Sequence, residues 1–197
     1  FFKQKTAYEI PKRDWSSDVC SSDLKEEARK WVDRNLPKEK DRVKVIEGGK
    51  ERQDSVWQGL EALGEHIEWA VVHDAARVLT TRNLTERVLA EARLHGAAAA
   101  ASKMSDTVRA TDASGRILRL VDREGLWRME TPQVVRSSVL RKGLELAKKS
   151  RTLVTDCLAA AELAGVKGVL VESGEPNLKI TVPGDWMLSE AWLRVRK

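Results

Sequence analysis

The chain contains few cysteines and, tryptophan apart, few aromatic residues. Its 197 residues include two Cys, two Phe and one Tyr, against seven Trp. Beyond residue 24 the only thiol is Cys157, so that part of the sequence can form neither an internal disulfide nor a cysteine-based metal cluster. No apolar run approaches the ~20 residues of a membrane-spanning helix. These absences argue against a disulfide scaffold and a membrane partner, and we expect a cytoplasmic protein.

Charge, in contrast, is abundant and mixed in sign. Charged residues make up 33% of the sequence, and the formal net charge is +5 at pH 7. Acidic and basic residues are interspersed, without a long block of one sign, which argues against nucleic acid as a partner. An anionic small substrate suits this balance equally well.

The first 24 residues differ in composition from the rest of the chain. They contain both Phe, the only Tyr and one of the two Cys, and they resemble translated sequencing adapters fused to a gene. We therefore set residues 1–24 aside as a non-native segment and treat 25–197 as one domain. An ordinary polar N-terminal tail is the alternative interpretation.

From residue 43 onward, short β-like runs alternate with helical patterns, which is typical of an α/β sheet with crossover helices. The periodicity predicts strands at 43–46, 69–72 and 169–171, and helices at 51–63, 84–92, 137–149, 157–165 and from 185 onward. The alanine run 97–101 follows Gly96, a residue that can end a helix in the left-handed conformation. We predict a tightly packed strand there.

Residues 104–127 have a different pattern. Alternating apolar and polar residues at 107–110 and 116–121 flank the turn sequence Asp112-Ala113-Ser114-Gly115, which predicts a β-hairpin arm. A lone hairpin cannot bury an apolar face, so we expect the arm to pack on another surface, with a second subunit as one candidate.

A polar pentapeptide, His73-Asp74-Ala75-Ala76-Arg77, directly follows the predicted strand at 69–72. In open α/β sheets, ligands bind at the carboxyl ends of the strands. An Asp there can hold a metal–phosphate complex or a sugar hydroxyl, and the Arg guanidinium can bind an anion. A solvated turn with an incidental ion pair explains these five residues equally well.

Five motifs then follow in order along the chain: Gly48-Gly49-Lys50-Glu51-Arg52-Gln53-Asp54-Ser55-Val56, His73 to Arg77, Asp106-Thr107, Val121-Asp122-Arg123-Glu124-Gly125-Leu126-Trp127 with Thr131-Pro132-Gln133, and Asn177-Leu178-Lys179-Ile180-Thr181. Their order and spacing resemble the 2-C-methyl-D-erythritol 4-phosphate cytidylyltransferase family. The resemblance implies a Rossmann-like three-layer nucleotidyltransferase sheet with a hairpin arm that joins two subunits in a homodimer. It also implies cytidylyl transfer from CTP to a sugar-alcohol phosphate, giving CDP-methylerythritol and pyrophosphate, with Mg²⁺ as cofactor.

The resemblance further implies roles for eight residues. Gly49 and Ser55 would contact the cytidine of CTP. Asp74 and Lys179 would be catalytic, Lys179 by stabilising charge on the α-phosphate and Asp74 as a candidate Mg²⁺ ligand. The substrate-binding positions would be Arg77, Thr107, Arg123 and Thr131, with Thr107 and Arg123 serving the partner subunit's site from the arm.

Several of these residues also have a purely structural interpretation when the resemblance is left aside. Gly49 would belong to an ordinary turn, Ser55 would be a hydroxyl at a helix N-terminus, and Lys179 would be a solvated strand residue. Arg123 would pair with Asp122 or Glu124. Two further residues favour structural roles outright, His73 as a hydrogen-bonded residue rather than a base and Asp156 as a helix cap.

The family's first strand and its Gly-rich, triphosphate-binding loop have no counterpart in this sequence. We therefore expect a sheet that lacks its first strands and exposes the edge of neighbouring ones, and a chain that is inactive as written. Three alternatives stay open: a cytidylyltransferase for ribitol 5-phosphate or another polyol phosphate, a non-catalytic module of the same fold, and half of a bifunctional enzyme. The end of the chain at Lys197 argues against the last, unless the gene is also cut there.

Overall fold

Helices and strands alternate along most of the chain in the computed structural model, which describes residues 4–6, 18–22, 24–38 and 41–196. In chain order the elements are β1 (Gln4–Thr6), β2 (Asp18–Ser22), α1 (Lys25–Asn35), β3 (Val43–Glu47), α2 (Arg52–Leu63), β4 (Trp69–Val72), α3 (Arg82–His95), β5 (Ala97–Lys103), β6 (Val108–Thr111), β7 (Ile117–Val121), β8 (Trp127–Arg136), α4 (Ser137–Ser150), α5 (Cys157–Leu163), β9 (Val169–Glu172) and α6 (Pro183–Val195).

A four-stranded sheet in the order β4-β8-β5-β9 forms the centre of the fold. Strand β8 is antiparallel to both β4 and β5, and β9 is parallel to β5. Strands β4, β5 and β9 therefore run in the same direction, and their carboxyl ends meet at one edge of the sheet. This edge carries the candidate site.

Strand β5, which begins with five alanines, explains how helices cover both faces of this sheet. Side chains alternate between the faces of a strand, and residues 97–101 are all fully buried. Ala97 and Ala99 face a core cluster that includes Leu140 of α4 and Leu158 of α5, whereas Ala98 packs with side chains of α3. Small side chains let the helices approach closely on both sides, and three layers result.

A second sheet in the order β1-β2-β3 lies at the start of the chain. Strand β2 is antiparallel to β1 and parallel to β3. Both β1 and β2 fall within the segment that we set aside on composition, so part of that segment takes part in the fold; its remaining residues, except Leu24, lie outside the described residues. Within the described ranges no ladder joins β3 to β4. Among the described strands, β3 and β4 therefore each lie at the edge of their own sheet, and β3 pairs with β2 on one side only.

Beyond the set-aside segment, the predicted helices and strands are otherwise confirmed, with two omissions and one correction. The ten-residue strand β8 and the helix α1 were not predicted. Strand β8 contains Glu130, Thr131, Pro132 and Gln133, which interrupt the apolar alternation that marks a strand. Lys179 does not lie in a strand: residues 173–182 between β9 and α6 have no helix or strand.

The hairpin predicted at 104–127 is present. Strands β6 and β7 pair antiparallel, and the Met104 N–H donates to the Leu126 carbonyl across the base of the hairpin. Ile117, Leu118 and Leu120 are more than half exposed on β7, at 64%, 66% and 57%. In the described part of the chain no helix is both long and apolar enough to cross a membrane.

Candidate functional site

The site begins where β4 ends against β8. Val72 pairs with Gln133 in this ladder, and continuing the register places Asp74 opposite Thr131. The Asp74 N–H donates to Thr131 Oγ1 at 3.0 Å. Two residues 57 positions apart in sequence are thereby fixed side by side, as expected for Asp74 and Thr131 if they share a site.

The Asp74 carboxylate lies between two cationic side chains. Lys179 Nζ donates to Asp74 Oδ2 at 2.9 Å, and Arg52 Nε lies 3.7 Å from Asp74 Oδ1. Burial favours the neutral acid, but the charges of Arg52 and Lys179 outweigh it and hold the pKa of Asp74 below its ordinary value. Asp74 is therefore ionised at neutral pH. Its Oδ1 atom is buried and accepts no hydrogen bond.

A chain of hydrogen bonds fixes the backbone on either side of Asp74. His73 Nε2 lies 3.2 Å from the Arg77 carbonyl oxygen, which can only accept, so this nitrogen carries the proton. Nδ1 then accepts from the Thr131 hydroxyl at 2.8 Å. Burial lowers the pKa of His73 to about 4. His73 is thus neutral at neutral pH, and both of its ring nitrogens are hydrogen-bonded, as expected for a structural residue.

Arg77 follows Asp74 by three residues, and its guanidinium contacts the main chain. Nη1 donates to the Asn177 carbonyl at 2.7 Å and Nη2 to the Met129 carbonyl at 3.2 Å. Burial lowers the pKa of Arg77, although Glu130 and Asp74 oppose this effect. Arg77 therefore joins the end of β4 to β8 and to the loop that carries Lys179.

Arg52, at the start of α2, is a residue of this cluster that the sequence did not single out. Besides Asp74, its guanidinium reaches Cys157 Sγ at 3.6 Å and Gln133 Oε1 at 3.3 Å. Gln133 Oε1 also accepts from the Cys157 N–H at 2.9 Å. Burial raises the pKa of the Cys157 thiol despite the adjacent guanidinium. The signal for Arg52 was its place in the motif 48–56, where only Gly49 and Ser55 were selected.

Gly49 and Ser55 lie together at the N-terminal end of α2. The Gly49 N–H donates to Ser55 Oγ at 3.0 Å, and Ser55 Oγ lies 3.3 Å from the Glu51 carbonyl. A Cβ on Gly49 would lie only 2.3 Å from the Cβ of Asp54. This close approach requires glycine. Gly49 and Ser55 together shape the turn into α2. They lie three residues before and three residues after Arg52.

Thr107 and Arg123 do not join the Asp74 cluster. Both are exposed on the hairpin, and Arg123 donates to the Ser105 carbonyl. Asp156 is a helix cap, as expected, because its carboxylate accepts from the Ala159 N–H at 2.8 Å.

Helices on both faces of a mixed sheet, with a carboxylate, an arginine and a lysine at the carboxyl edge of its strands, define an α/β protein with a site suited to anionic ligands. The model of the family IspD, 2-C-methyl-D-erythritol 4-phosphate cytidylyltransferase, matches residues 24–195, and the chain belongs to this family.

Three relatives illustrate the extent of the similarity. The chain is 38% identical over 148 residues to the chloroplastic 2-C-methyl-D-erythritol 4-phosphate cytidylyltransferase of Oryza sativa. The aligned residues make up 75% of this chain and 50% of the relative. It is 40% identical over 159 residues to the enzyme of that name from Vibrio cholerae, covering 79% and 68%. The crystal structure of the enzyme of that name from Thermus thermophilus aligns with a TM-score of 0.71 at 34% identity, covering 78% of this chain and 74% of that one.

The match to the Thermus structure confirms the predicted fold class. The chain nevertheless spans only half the length of the rice relative, and 39% of a bifunctional enzyme IspD/IspF from Desulfotalea psychrophila, to which it is 38% identical over 156 residues.

Proposed function

We propose that the Asp74 cluster serves cytidylyl transfer from CTP to 2-C-methyl-D-erythritol 4-phosphate, with release of pyrophosphate. The observation that carries this proposal is the convergence of Arg52 and Lys179 on Asp74 in a member of this family. A phosphate oxygen of the alcohol phosphate attacks the α-phosphorus of CTP, and the bond from that phosphorus to the bridging oxygen of pyrophosphate breaks. The reaction needs no protein nucleophile.

The main obstacle to this reaction is that two polyanions must approach each other. Fixed cations overcome the repulsion and stabilise the charge that develops on the α-phosphate. Lys179 suits this role because its side chain is 44% exposed while its ammonium is held at the buried carboxylate. Arg52 is more deeply buried, so it acts mainly by keeping Asp74 ionised.

A Mg²⁺ ion is part of the proposal, with Asp74 as its protein ligand. Among the described residues no group of three His, Cys, Asp or Glu side chains is arranged to hold a metal ion. Mg²⁺ is nevertheless commonly bound through one or two carboxylates plus substrate phosphates. The buried Asp74 Oδ1, which accepts no hydrogen bond, fits that need. When bound, the ion would neutralise charge on the triphosphate.

The same proposal assigns cytidine contact to Gly49 and Ser55, and substrate binding to Thr131 and Arg77. Thr107 and Arg123 would act on the partner subunit's site in a homodimer formed through the hairpin. The exposed side chains of Ile117, Leu118 and Leu120 support an interface there. The free thiol of Cys157 suits the reducing cytoplasm, which we propose as the location.

The test is pyrophosphate release from CTP with Mg²⁺ and methylerythritol phosphate. It is run on this chain and on a version extended by the family's Gly-rich N-terminal segment, with ribitol 5-phosphate as the alternative acceptor. Turnover with methylerythritol phosphate that is lost in Asp74→Asn supports the proposal. Preference for ribitol 5-phosphate would move the assignment to another polyol. If neither version releases pyrophosphate with either acceptor, although both are folded, a non-catalytic module is favoured.

A further inference from the structure

Glu130 is a buried carboxylate that the proposed chemistry does not use. It lies on β8 beside Thr131 and is 7% exposed. Its Oε2 atom accepts from Ser173 Oγ at 2.6 Å and from Asn177 Nδ2 at 3.0 Å. A buried carboxylate is costly unless its oxygens are hydrogen-bonded. The position of Asn177 is thereby tied to the middle of the sheet.

Asn177 has all of its side-chain polar atoms engaged. Nδ2 also donates to the Thr131 carbonyl at 2.8 Å, and Oδ1 accepts from Thr80 Oγ1 at 2.9 Å. The Asn177 main-chain carbonyl accepts from Arg77 Nη1 at 2.7 Å. A single amide thus contacts β8, the segment after β4 and the buried carboxylate, and at 5% exposure it is shielded from water.

The loop that follows Asn177 delivers Lys179 to Asp74. On the far side of Lys179, the Ile180 N–H donates to the Ala76 carbonyl at 2.8 Å. The backbone of Lys179 is therefore held between two anchors. Because a lysine side chain loses considerable rotamer freedom when it is fixed, a rigid backbone reduces the cost of placing its ammonium on the carboxylate.

We propose that Asn177 is a positioning residue that sets Lys179 against Asp74, with Glu130 holding the Asn177 amide. The catalytic meaning of this placement rests on the proposed function, but the placement itself does not. Asn177 touches no reacting atom in this scheme and acts through Lys179.

The experiment measures how fast Lys179 is acetylated by an amine-reactive ester in the full chain, with mass spectrometry of the peptide that contains it. Lys44, whose ammonium donates to the Ala62 carbonyl at 2.7 Å on another part of the fold, is the internal reference. In Asn177→Ala, Lys179 should react about fivefold faster relative to Lys44. Ser173→Ala, which removes the other donor to Glu130, should leave the ratio unchanged.

Equal ratios in wild type and Asn177→Ala, with both proteins folded, would overturn the proposal. So would an increase of the same size in Ser173→Ala. If Asn177→Ala does not fold, Thr80→Val removes only the hydroxyl that donates to Asn177 Oδ1, and a smaller increase confined to Lys179 is expected; no increase contradicts the proposal.

A second measurement separates positioning from a general loss of stability. In the version extended by the family's Gly-rich N-terminal segment, with CTP as substrate, Asn177→Ala should lower kcat about tenfold. The KM for CTP should change little, because the ammonium is displaced without loss of the nucleotide site. A rise in KM at unchanged kcat would contradict the proposal. If no variant turns over CTP but Lys179 becomes more reactive in Asn177→Ala, the proposed function fails and the positioning role stands.

Discussion

Lys179 Nζ donates to Asp74 Oδ2 at 2.9 Å, although the two residues are 105 positions apart in the sequence. Asp74 follows β4 and Lys179 follows β9, and these strands form the two edges of the four-stranded sheet. The ion pair therefore spans the end of the sheet. Asp74 is buried, whereas the Lys179 side chain is 44% exposed. An anion can therefore approach the Lys179 ammonium from solvent while Asp74 binds the ammonium on its buried side.

Removing the charge of Lys179 should remove most of the activity. We expect Lys179→Met to lower kcat/KM for CTP by about 10²–10³-fold, the usual loss when one group that stabilises developing charge is deleted. Lys179→Arg should retain part of the activity because it keeps the charge, although the geometry of its guanidinium differs. Pyrophosphate release measures both variants in the version extended by the family's Gly-rich N-terminal segment.

The matched control for this comparison is Lys44→Met, which removes another hydrogen-bonded lysine, on β3. It should leave kcat/KM within about twofold, as expected for a surface substitution remote from the site. An equal loss in both variants would show that the effect is not specific to Lys179.

The neutral state of His73 should make folding stability depend on pH. Its pKa is about 4 in the folded protein against an ordinary value of 6.5, so the unfolded chain takes up the proton first as pH falls. Stability from this group is complete above pH 6.5 and is lost progressively down to pH 4. By pH 5 the loss is about 2 kcal/mol. Urea unfolding at pH 7 and pH 5 measures it.

In His73→Gln the difference in unfolding free energy between pH 7 and pH 5 should shrink by about that 2 kcal/mol, even though the variant is less stable at both pH values. His66→Gln is the control, because His66 is exposed. A wild-type pH dependence that persists in His73→Gln would assign it to another group.

The sequence predicted the helices and strands whose side chains follow a simple period. It also predicted a strand for the alanine run, because Gly96 stops the preceding helix, and Gly96 indeed adopts a left-handed φ of 86°. Strand β8 was missed because polar residues of the site, such as Thr131 and Gln133, lie within it and break the period. Site residues are selected for chemistry, so a pattern based on burial loses them.

In the candidate site, too, some residues could be predicted from the sequence and others could not. Asp74 and Thr131 could both be assigned to the site, because both fall in motifs that carry the resemblance to the family. Arg52 and Asn177 lie in quoted motifs but were not singled out, because their importance depends on contacts with residues at least 22 and 46 positions away, respectively. Contacts of that separation are set by the tertiary fold and leave no local pattern in the chain.

Two helical glycines should respond differently to substitution by alanine. A Cβ on Gly143 of α4 would lie 1.9 Å from the Ala160 carbonyl oxygen of α5, whereas Gly184 of α6 has no atom within 4 Å of its added Cβ. Gly143→Ala should therefore lower the unfolding free energy by about 1–3 kcal/mol through overpacking. Gly184→Ala should be neutral or stabilising by up to about 1 kcal/mol, since alanine favours helix. Chemical denaturation of both variants at one pH measures these effects, and equal destabilisation would contradict the close packing of α4 on α5.

The hairpin leucines test the proposed homodimer. Leu118 and Leu120 lie two positions apart on β7 and therefore lie on the same face of the strand. They are 66% and 57% exposed, respectively. Burying such a side chain in an interface contributes about 1.5–3 kcal/mol. The double substitution Leu118→Glu with Leu120→Glu should therefore weaken dimerisation by about 100-fold or more.

Sedimentation velocity over a range of concentrations measures the dissociation constant directly. Leu94→Glu is the matched control: Leu94 is 76% exposed on α3, outside the hairpin, and its substitution should leave the dimer intact. Because Thr107 and Arg123 would serve the partner's site, the double variant, made in the extended version, should also lose turnover at protein concentrations where it is monomeric. It should regain part of that turnover as concentration rises. A wild-type chain that is monomeric at all concentrations, or a double variant that is as dimeric as the control, would reject the hairpin as the interface.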